Sequence, residues 1–285
     1  MKKGLILLLP ILAVAGLASC GGNSTSTDTL VVGLECNYTP FNWTQSTAND
    51  YTLPISNAAG KYADGYDVQV AKALSEATGK EVTIVRTIWE SLITDLNYGN
   101  INLIIAGMTD TEERREAISF TDEYYRSELV LITDIDVANQ YTSTVSEADF
   151  ASLVSGKIIV SQVSTVTNDI IDTFASEYGA IHGPALSTFA LAATDVMAGS
   201  AFAMTAEYPV AQSIVAANSD ELGIIRIDQE ILGEEAAELG VSIGIRKDDT
   251  DLQSELNEAL ATLDQNWRNE TMVGAVNRSV SAEEI

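Results

Sequence analysis

The first half of the chain alternates between short apolar runs and stretches in which apolar residues recur every three or four positions. Residues 29–35, 81–87 and 101–107 are the apolar runs, and their polar flanks are typical of buried strands. Helical spacing appears between them in two sets of residues: Val70, Ala73, Leu74 and Ala77, then Trp89, Leu92, Ile93 and Leu96. We predict that Asp67 caps the first helix, that Gly79 ends it, and that the second helix ends near Gly99.

An order of strand, helix, strand, helix, strand predicts a parallel α/β sheet, because each helix carries the chain back across one face. Ligands of such sheets bind beyond the carboxyl ends of the strands. The three predicted ends, residues 35–38, 87–89 and 107–114, should therefore line one crevice. Residues 44–63 are polar and lack a clear period, so we interpret them as a long surface loop.

The second half repeats this pattern without obvious sequence repetition. Strand, turn and helix are predicted within each of the segments 157–179, 200–218 and 239–267. Residues 124–128 and 238–243 resemble segments that cross from one lobe to the other. The predicted division is a discontinuous first lobe, residues 29–125 plus 243–285, and a second lobe, residues 126–242.

The amino terminus has the features of an export signal. Lys2 and Lys3 precede an apolar run over residues 5–17, and small residues lead to Cys20, as in a bacterial lipobox. We predict a lipoprotein signal peptide over residues 1–19, lipidation of Cys20 and a polar tether over residues 20–28. The mature protein would be extracytoplasmic and lipid-anchored to the cell membrane; the alternative is a plain secretory signal cut nearby. Cys36 would then lack a disulfide partner, and we interpret it as a small half-buried residue.

Composition narrows the classes of function. The chain has 285 residues, of which 46% are hydrophobic and 20% charged, and its formal net charge is -26. Such a charge repels nucleic acid and anionic lipid headgroups, so neither is expected as a partner. No catalytic triad is recognised around the single histidine, and the sequence shows neither a phosphate loop nor a metal-ligand cluster. We therefore predict a protein that is not an enzyme and that needs neither a cofactor nor a metal.

Four segments carry a resemblance to a known family. They read LVVGLECNYTPFNW, GYDVQVAKALSEATGKEV, WESLITDLNYGNINLIIAGMTDTEERREAISFTDEYY and LGVSIGIRKDDTDLQSELNEALATL. The chain resembles the bacterial extracellular solute-binding proteins for polar amino acids, which deliver ligands to ABC importers. The resemblance implies a type II periplasmic-binding-protein fold, in which two lobes, each a sheet flanked by helices, are joined by a two-segment hinge. It also implies an ABC transporter permease as partner and a monomer. Loop 44–63 is longer than usual, and the tail after Trp267 lacks the family's aromatic and basic ending.

Arg114 falls in what should be the first turn of a helix, where a cation is mildly unfavourable unless an anion joins it. By resemblance, Arg114 grips the ligand's carboxylate in two parallel hydrogen bonds. Thr109 contributes hydroxyl and backbone groups, the Gly107 carbonyl accepts from the ammonium, and Met108 belongs to the same ligand-binding segment. The alternatives are helix capping for Thr109 and Thr111 and a surface ion pair for Arg114.

In the second lobe, Thr165 and Val166 match the turn that donates backbone N–H groups to the carboxylate. Ser164 stands where the family usually has glycine, which makes this turn a departure from the pattern. Glu207, two residues before Pro209, matches the acidic partner of the ammonium, although aspartate is more usual there. The alternatives are an ordinary capped turn and a solvent-exposed glutamate.

The resemblance places Glu35, Tyr38, Asn42 and Trp89 around the ligand's side chain. Tyr38 and Trp89 would provide flat walls, although Trp89 also fits a core position. A carboxylate at Glu35 favours a cationic amino acid such as arginine or lysine, and it could also accept from an amide or a phenol. Two other functions use this fold: an amino-acid-sensing receptor or surface adhesin, and an enzyme resembling cyclohexadienyl dehydratase.

Overall fold

A computed structural model describes residues 29–283, and it describes their side chains except those of 234–238 and 281–283. The predicted signal peptide, Cys20 and the tether lie outside the described residues. Among the described residues, the structure has no helix with the length and apolar character needed to cross a membrane.

The first part of the chain alternates strands and helices, as the pattern predicts. In chain order the elements are β1 (Thr29–Leu34), β2 (Asn37–Tyr38), β3 (Asn42–Gln45), β4 (Leu53–Pro54), β5 (Tyr62–Asp64), α1 (Tyr66–Thr78), β6 (Glu81–Arg86), a 3₁₀ turn (Trp89–Ser91), α2 (Leu92–Tyr98), β7 (Leu103–Ile104), α3 (Glu112–Arg115) and β8 (Ser119–Arg126).

The second part continues with β9 (Leu129–Asp134), α4 (Ile135–Ala138), α5 (Glu147–Val154), β10 (Ile158–Val160), α6 (Val166–Tyr178), β11 (Ile181–His182), α7 (Phe189–Met197), β12 (Ala203–Glu207), α8 (Tyr208–Ala217), β13 (Leu222–Arg226), a kinked 3₁₀ segment (Gln229–Glu238), β14 (Gly240–Ile245), α9 (Thr250–Leu260) and α10 (Gln265–Glu283).

The first five-stranded sheet has the order β6-β1-β7-β14-β8. Strand β1 runs parallel to β6 and β7, whereas β14 is antiparallel to both β7 and β8. The prediction of a parallel arrangement is therefore confirmed for β1, β6 and β7. Strand β14 is antiparallel because it does not follow a crossover helix; it enters the sheet on the return of the chain from the second sheet.

The second five-stranded sheet has the order β11-β10-β12-β9-β13 and is also mixed, because β9 is antiparallel to β12 and β13. The chain passes from the first sheet to the second between Arg126 and Leu129 and returns between Arg226 and Gly240. We call the parts built around these sheets the first and second lobes. The predicted boundaries at 125/126 and 242/243 remain predictions. Strand β8 runs across the first of these boundaries, and β14 runs across the second.

Two local predictions are corrected in the first lobe. Residues 44–63 are not a plain loop, because β5 pairs with both β3 and β4 in a small antiparallel sheet of order β2-β3-β5-β4. Asp67 does not cap α1. Gly65 is the N-cap, at a φ of 131°, and Asp67 is fully buried inside the first turn. Gly79 ends the helix as predicted, in the left-handed conformation with a φ of 69°.

The core is continuous between the two lobes. The larger apolar cluster combines first-lobe residues with Phe189 of α7 and Val210 of α8, and it includes Met272 and Ala275 of α10. A second cluster surrounds Phe150 and Phe174, whose rings make an edge contact with centroids 4.8 Å apart. The carboxyl ends of β1 and β12 lead directly into the cleft between the lobes.

Candidate functional site

One cavity lies between the lobes and gathers most of the predicted ligand-binding residues. Its lining consists of Glu35, Tyr38, Trp89, Gly107, Thr109, Arg114, Gln162, Thr165, Val166, Thr167, Phe189, Glu207 and Leu239. Nine of the eleven predicted residues are among these thirteen, and the two others, Asn42 and Met108, are buried away from the cavity surface.

Arg114 lies on the single turn of α3 and reaches across the cleft. Thr111 caps this turn by accepting a hydrogen bond from the Arg114 backbone N–H, at 3.2 Å. The Arg114 guanidinium donates to the carbonyl and hydroxyl oxygens of Thr109, at 2.7 and 2.6 Å. Its other terminal nitrogen donates to the Ser164 carbonyl, at 2.9 Å. The guanidinium carbon also lies 5.3 Å from the centroid of the Trp89 ring.

The turn before α6 presents both carbonyl oxygens and N–H groups to the cleft. Ser164 has a φ of 59°, so this serine adopts the left-handed conformation that glycine takes more easily. Its carbonyl accepts hydrogen bonds from Arg114 and from the Trp89 indole nitrogen, the latter at 3.0 Å. Thr165 caps α6, and Val166 opens it. The first N–H groups of such a helix have no intrahelical acceptor and favour an anion.

Glu207 ends β12 and stands at the N-cap position of α8, with only 7% of its surface exposed. Burial raises the pKa of its carboxyl, while a hydrogen bond from Tyr38 and the charge of Arg114 oppose this shift. The Oε2 atom of Glu207 accepts no hydrogen bond from the described residues. A buried carboxylate oxygen of this kind is costly unless a donor meets it.

Tyr38 fills the centre of the cleft. Its ring stacks on Phe41 of the same lobe and on Phe189 of the other, with centroids 5.0 Å apart in both pairs. Gly107 lies beneath it with a φ of 60°, and a Cβ at this position would come within 2.7 Å of the Tyr38 ring. Both the backbone conformation and this close approach therefore require glycine at 107.

Glu35 faces the cavity at the end of β1. Burial raises the pKa of Glu35 to about 7, a hydrogen bond from Gln162 lowers it in part, and the nearby charge of Glu90 raises it further. The Gln162 amide lies 3.3 and 3.4 Å from the two Glu35 carboxylate oxygens, so this contact also joins the two lobes.

Asn42 has a supporting position instead of a ligand-facing one. Its side-chain oxygen accepts from the Cys36 backbone N–H, and its amide nitrogen donates to Asp67, both at 2.7 Å. Asp67 also accepts from the Tyr124 hydroxyl at 2.7 Å, and the same hydroxyl accepts from the Gly107 backbone N–H at 2.9 Å. The buried Asp67 thereby links the segment after Glu35 to the Gly107 segment.

Four residues that line the cavity were not predicted from the sequence: Gln162, Thr167, Phe189 and Leu239. Gln162 and Thr167 flank the predicted turn, and their proximity to Thr165 was the available signal. Phe189 and Leu239 belong to apolar stretches, and their contact with the cleft depends on how the lobes face each other. Among the residues whose side chains the structure describes, it has no group of three or more His, Cys, Asp or Glu side chains suited to a metal ion.

Comparisons with known proteins agree with this geometry. The arginine-binding extracellular protein ArtP of Bacillus subtilis is 25% identical over 270 residues, covering 93% of this chain and 94% of the relative. An arginine-bound variant of ArgBP from T. maritima has a TM-score of 0.63 at 28% identity, covering 83% of this chain and 96% of that one.

The same architecture occurs in AbpA from Streptococcus pneumoniae, an amino acid ABC transporter substrate-binding protein bound to L-arginine. Its TM-score is 0.71 at 21% identity, with 90% of this chain and 97% of that chain covered, and this likeness confirms the type II two-lobe fold. The model of the bacterial extracellular solute-binding proteins, family 3, matches residues 30–272. The chain therefore belongs to the bacterial extracellular solute-binding proteins, family 3.

Proposed function

We propose that the cavity binds a free cationic amino acid, with arginine favoured, and that the protein delivers it to an ABC importer. The observation that carries the proposal is Glu207, whose buried Oε2 has no donor among the described residues and lines the same cavity as Arg114. An α-ammonium supplies that donor, and the α-carboxylate of the same molecule supplies an anion for Arg114.

Both ends of the zwitterion must be paired when water leaves the cleft, because unpaired buried charge is costly. Arg114 can bind the carboxylate in a bidentate geometry once its guanidinium exchanges the Ser164 carbonyl for the ligand. The N–H groups of Thr165 and Val166 add donors from the opposite lobe. A ligand held by Arg114 and Glu207 contacts both lobes at once and thereby stabilises their closed arrangement.

The side chain of the ligand is proposed to lie between Trp89 and Glu35. A guanidinium stacks well on an indole face, and a carboxylate whose pKa is raised by burial gains most from a cation beside it. ArtP of Bacillus subtilis and the T. maritima protein carry arginine in their names, which supports this class of ligand. Other relatives are named for histidine or L-cystine, so the choice of arginine rests on Glu35 and Trp89.

Transport is the role we propose, with the ABC transporter permease as partner, and the protein is proposed to be a non-enzymatic monomer anchored through lipid at Cys20. A sensing receptor would use the same cavity without handing the ligand on. A dehydratase would need a carboxylic acid placed at a leaving group, and Glu35 or Glu207 could serve in that role. Arginine that binds and returns chemically unchanged supports the binding function.

The clamp is tested by comparing Arg114→Ala with Arg115→Ala in calorimetric titrations with L-arginine. Arg114 lines the cavity, whereas its neighbour Arg115 is exposed and paired with Asp110 at 2.6 Å. Loss of a buried charge partner costs about 3 to 5 kcal/mol, so Arg114→Ala should weaken binding by roughly two to nearly four orders of magnitude. Arg115→Ala should bind like the wild type. Equal affinities in the two variants would contradict the clamp.

A further inference from the structure

The carboxyl-terminal helix α10 extends beyond the part of the chain that the family explains. The match to the family ends at residue 272, whereas α10 continues to Glu283. Two side chains in this additional part, Arg278 and Ser279, make specific buried contacts, and these contacts go to different lobes.

Arg278 attaches α10 to the first lobe. Its Nη2 atom lies 2.9 Å from Oδ1 of Asp64, and its Nε atom lies 3.2 Å from Oδ2. The Asp64 side chain is fully buried, and the guanidinium carbon sits 4.1 Å from the centroid of the Tyr51 ring. A bidentate, charge-assisted pair of this kind fixes both the position and the rotation of the helix. Arg268 adds a second attachment by donating to the Glu123 carbonyl of β8 at 2.8 Å.

Ser279 attaches the next position of the helix to the second lobe. Its hydroxyl oxygen lies 3.1 Å from that of Ser213 on α8, and both serines are buried, with 2% and 5% of their surfaces exposed. Helix α8 begins directly after Glu207, the cavity carboxylate. The contact with Ser279 therefore bears on the helix that carries Glu207 at its amino-terminal end.

We propose that α10 is a strap between the lobes, and that Arg278 and Ser279 are positioning residues that hold α8 and Glu207 in the closed, ligand-binding arrangement. Neither residue lines the cavity between Arg114 and Glu207. A contact that favours the closed arrangement raises ligand affinity by the same factor by which it shifts the equilibrium between open and closed lobes. The effect on arginine rests on the proposed function, whereas the effect on lobe closure does not.

The test uses the double variant Ser213→Cys/Ser279→Cys in the full chain, together with Cys20→Ser so that only the buried Cys36 remains as another thiol. The close approach of the two serine oxygens places the introduced sulfurs near bonding distance, which is about 2 Å. The same protein is measured with the disulfide formed and after reduction. Release of L-arginine is followed by stopped-flow fluorescence, and the radius of gyration without arginine is followed by X-ray scattering.

We expect the disulfide form to release arginine at least about tenfold more slowly than the reduced form, because the cross-link keeps the lobes closed. We also expect a smaller radius of gyration for the disulfide form without arginine. Ser279→Ala alone should speed release about fivefold, which corresponds to the roughly 1 kcal/mol of one hydrogen bond. Glu270→Gln, a change at an exposed position of the same helix, should leave the release rate unchanged.

Equal release rates and equal radii for the two redox forms would overturn the strap, and so would failure of the disulfide to form. If the wild type binds no arginine, the proposed function fails. The radius of gyration would then test the strap by itself, because this measurement needs no ligand.

Discussion

Replacement of Glu207 by glutamine should move stability and affinity in opposite directions. Without arginine, the folded protein holds a buried carboxylate whose pKa is raised by desolvation. At neutral pH the charged carboxylate therefore destabilises the folded state, and a neutral amide removes this cost. The Tyr38 hydroxyl can accept a hydrogen bond from the amide. Glu207→Gln should therefore have a higher melting temperature than the wild type, and each 1 kcal/mol gained corresponds to roughly 2–4 °C in a domain this large.

With arginine, the same substitution removes the charged partner of the ammonium. Loss of one member of a buried charge pair costs about 3 to 5 kcal/mol, so affinity should fall by roughly two to nearly four orders of magnitude. Differential scanning fluorimetry with and without arginine, followed by calorimetric titration, measures both effects. Glu221→Gln is the control, because Glu221 is exposed and should change neither quantity. A lower melting temperature combined with unchanged affinity would refute the assignment of Glu207.

Two further predictions concern Glu35 and Tyr124. Because the pKa of Glu35 is raised to about 7, its carboxylate takes up a proton as pH falls through that value, and the affinity for arginine should drop below pH 7. Glu35→Gln should flatten this part of the pH profile measured by calorimetry. An unchanged slope would be inconsistent with the role of Glu35. The same shift should make the protein without arginine lose stability as pH rises from about 4.5 to 7, because the folded state binds the extra proton. Tyr124→Phe removes the hydroxyl that Asp67 and the Gly107 N–H share, so urea unfolding should show a free energy of unfolding lower by about 1–3 kcal/mol, and arginine should bind more weakly. The adjacent Tyr125→Phe is the control and should lower the free energy of unfolding less. Equal losses in the two variants would argue against the network.

Local signals account for most of what the sequence predicted. The strand at Thr29–Leu34, the helix end at Gly79 and the turn at Thr165 each depend on neighbouring residues, and the structure contains all three. Arg114 and Glu207 were placed by resemblance, and the structure brings both to one cavity.

The differences arise where distant residues meet. Asp67 has the sequence context of a helix cap, yet its partners are Asn42 and Tyr124, which lie 25 and 57 positions away. The antiparallel entry of β14 depends on the path of the chain through the second lobe. Phe189 reaches the cleft by stacking on Tyr38 of the other lobe, and helical periodicity cannot indicate such a contact.

The central claim is that one cavity binds the carboxylate, the ammonium and the cationic side chain of a free amino acid. Calorimetric titration of the wild-type protein with L-arginine, agmatine and L-citrulline tests it most directly. Agmatine lacks the carboxylate proposed to pair with Arg114, and citrulline lacks the positive charge proposed to face Glu35. We predict saturable binding of arginine and binding at least about a hundredfold weaker for either analogue. Equal affinity for all three compounds, or no heat of binding with arginine, would contradict the account.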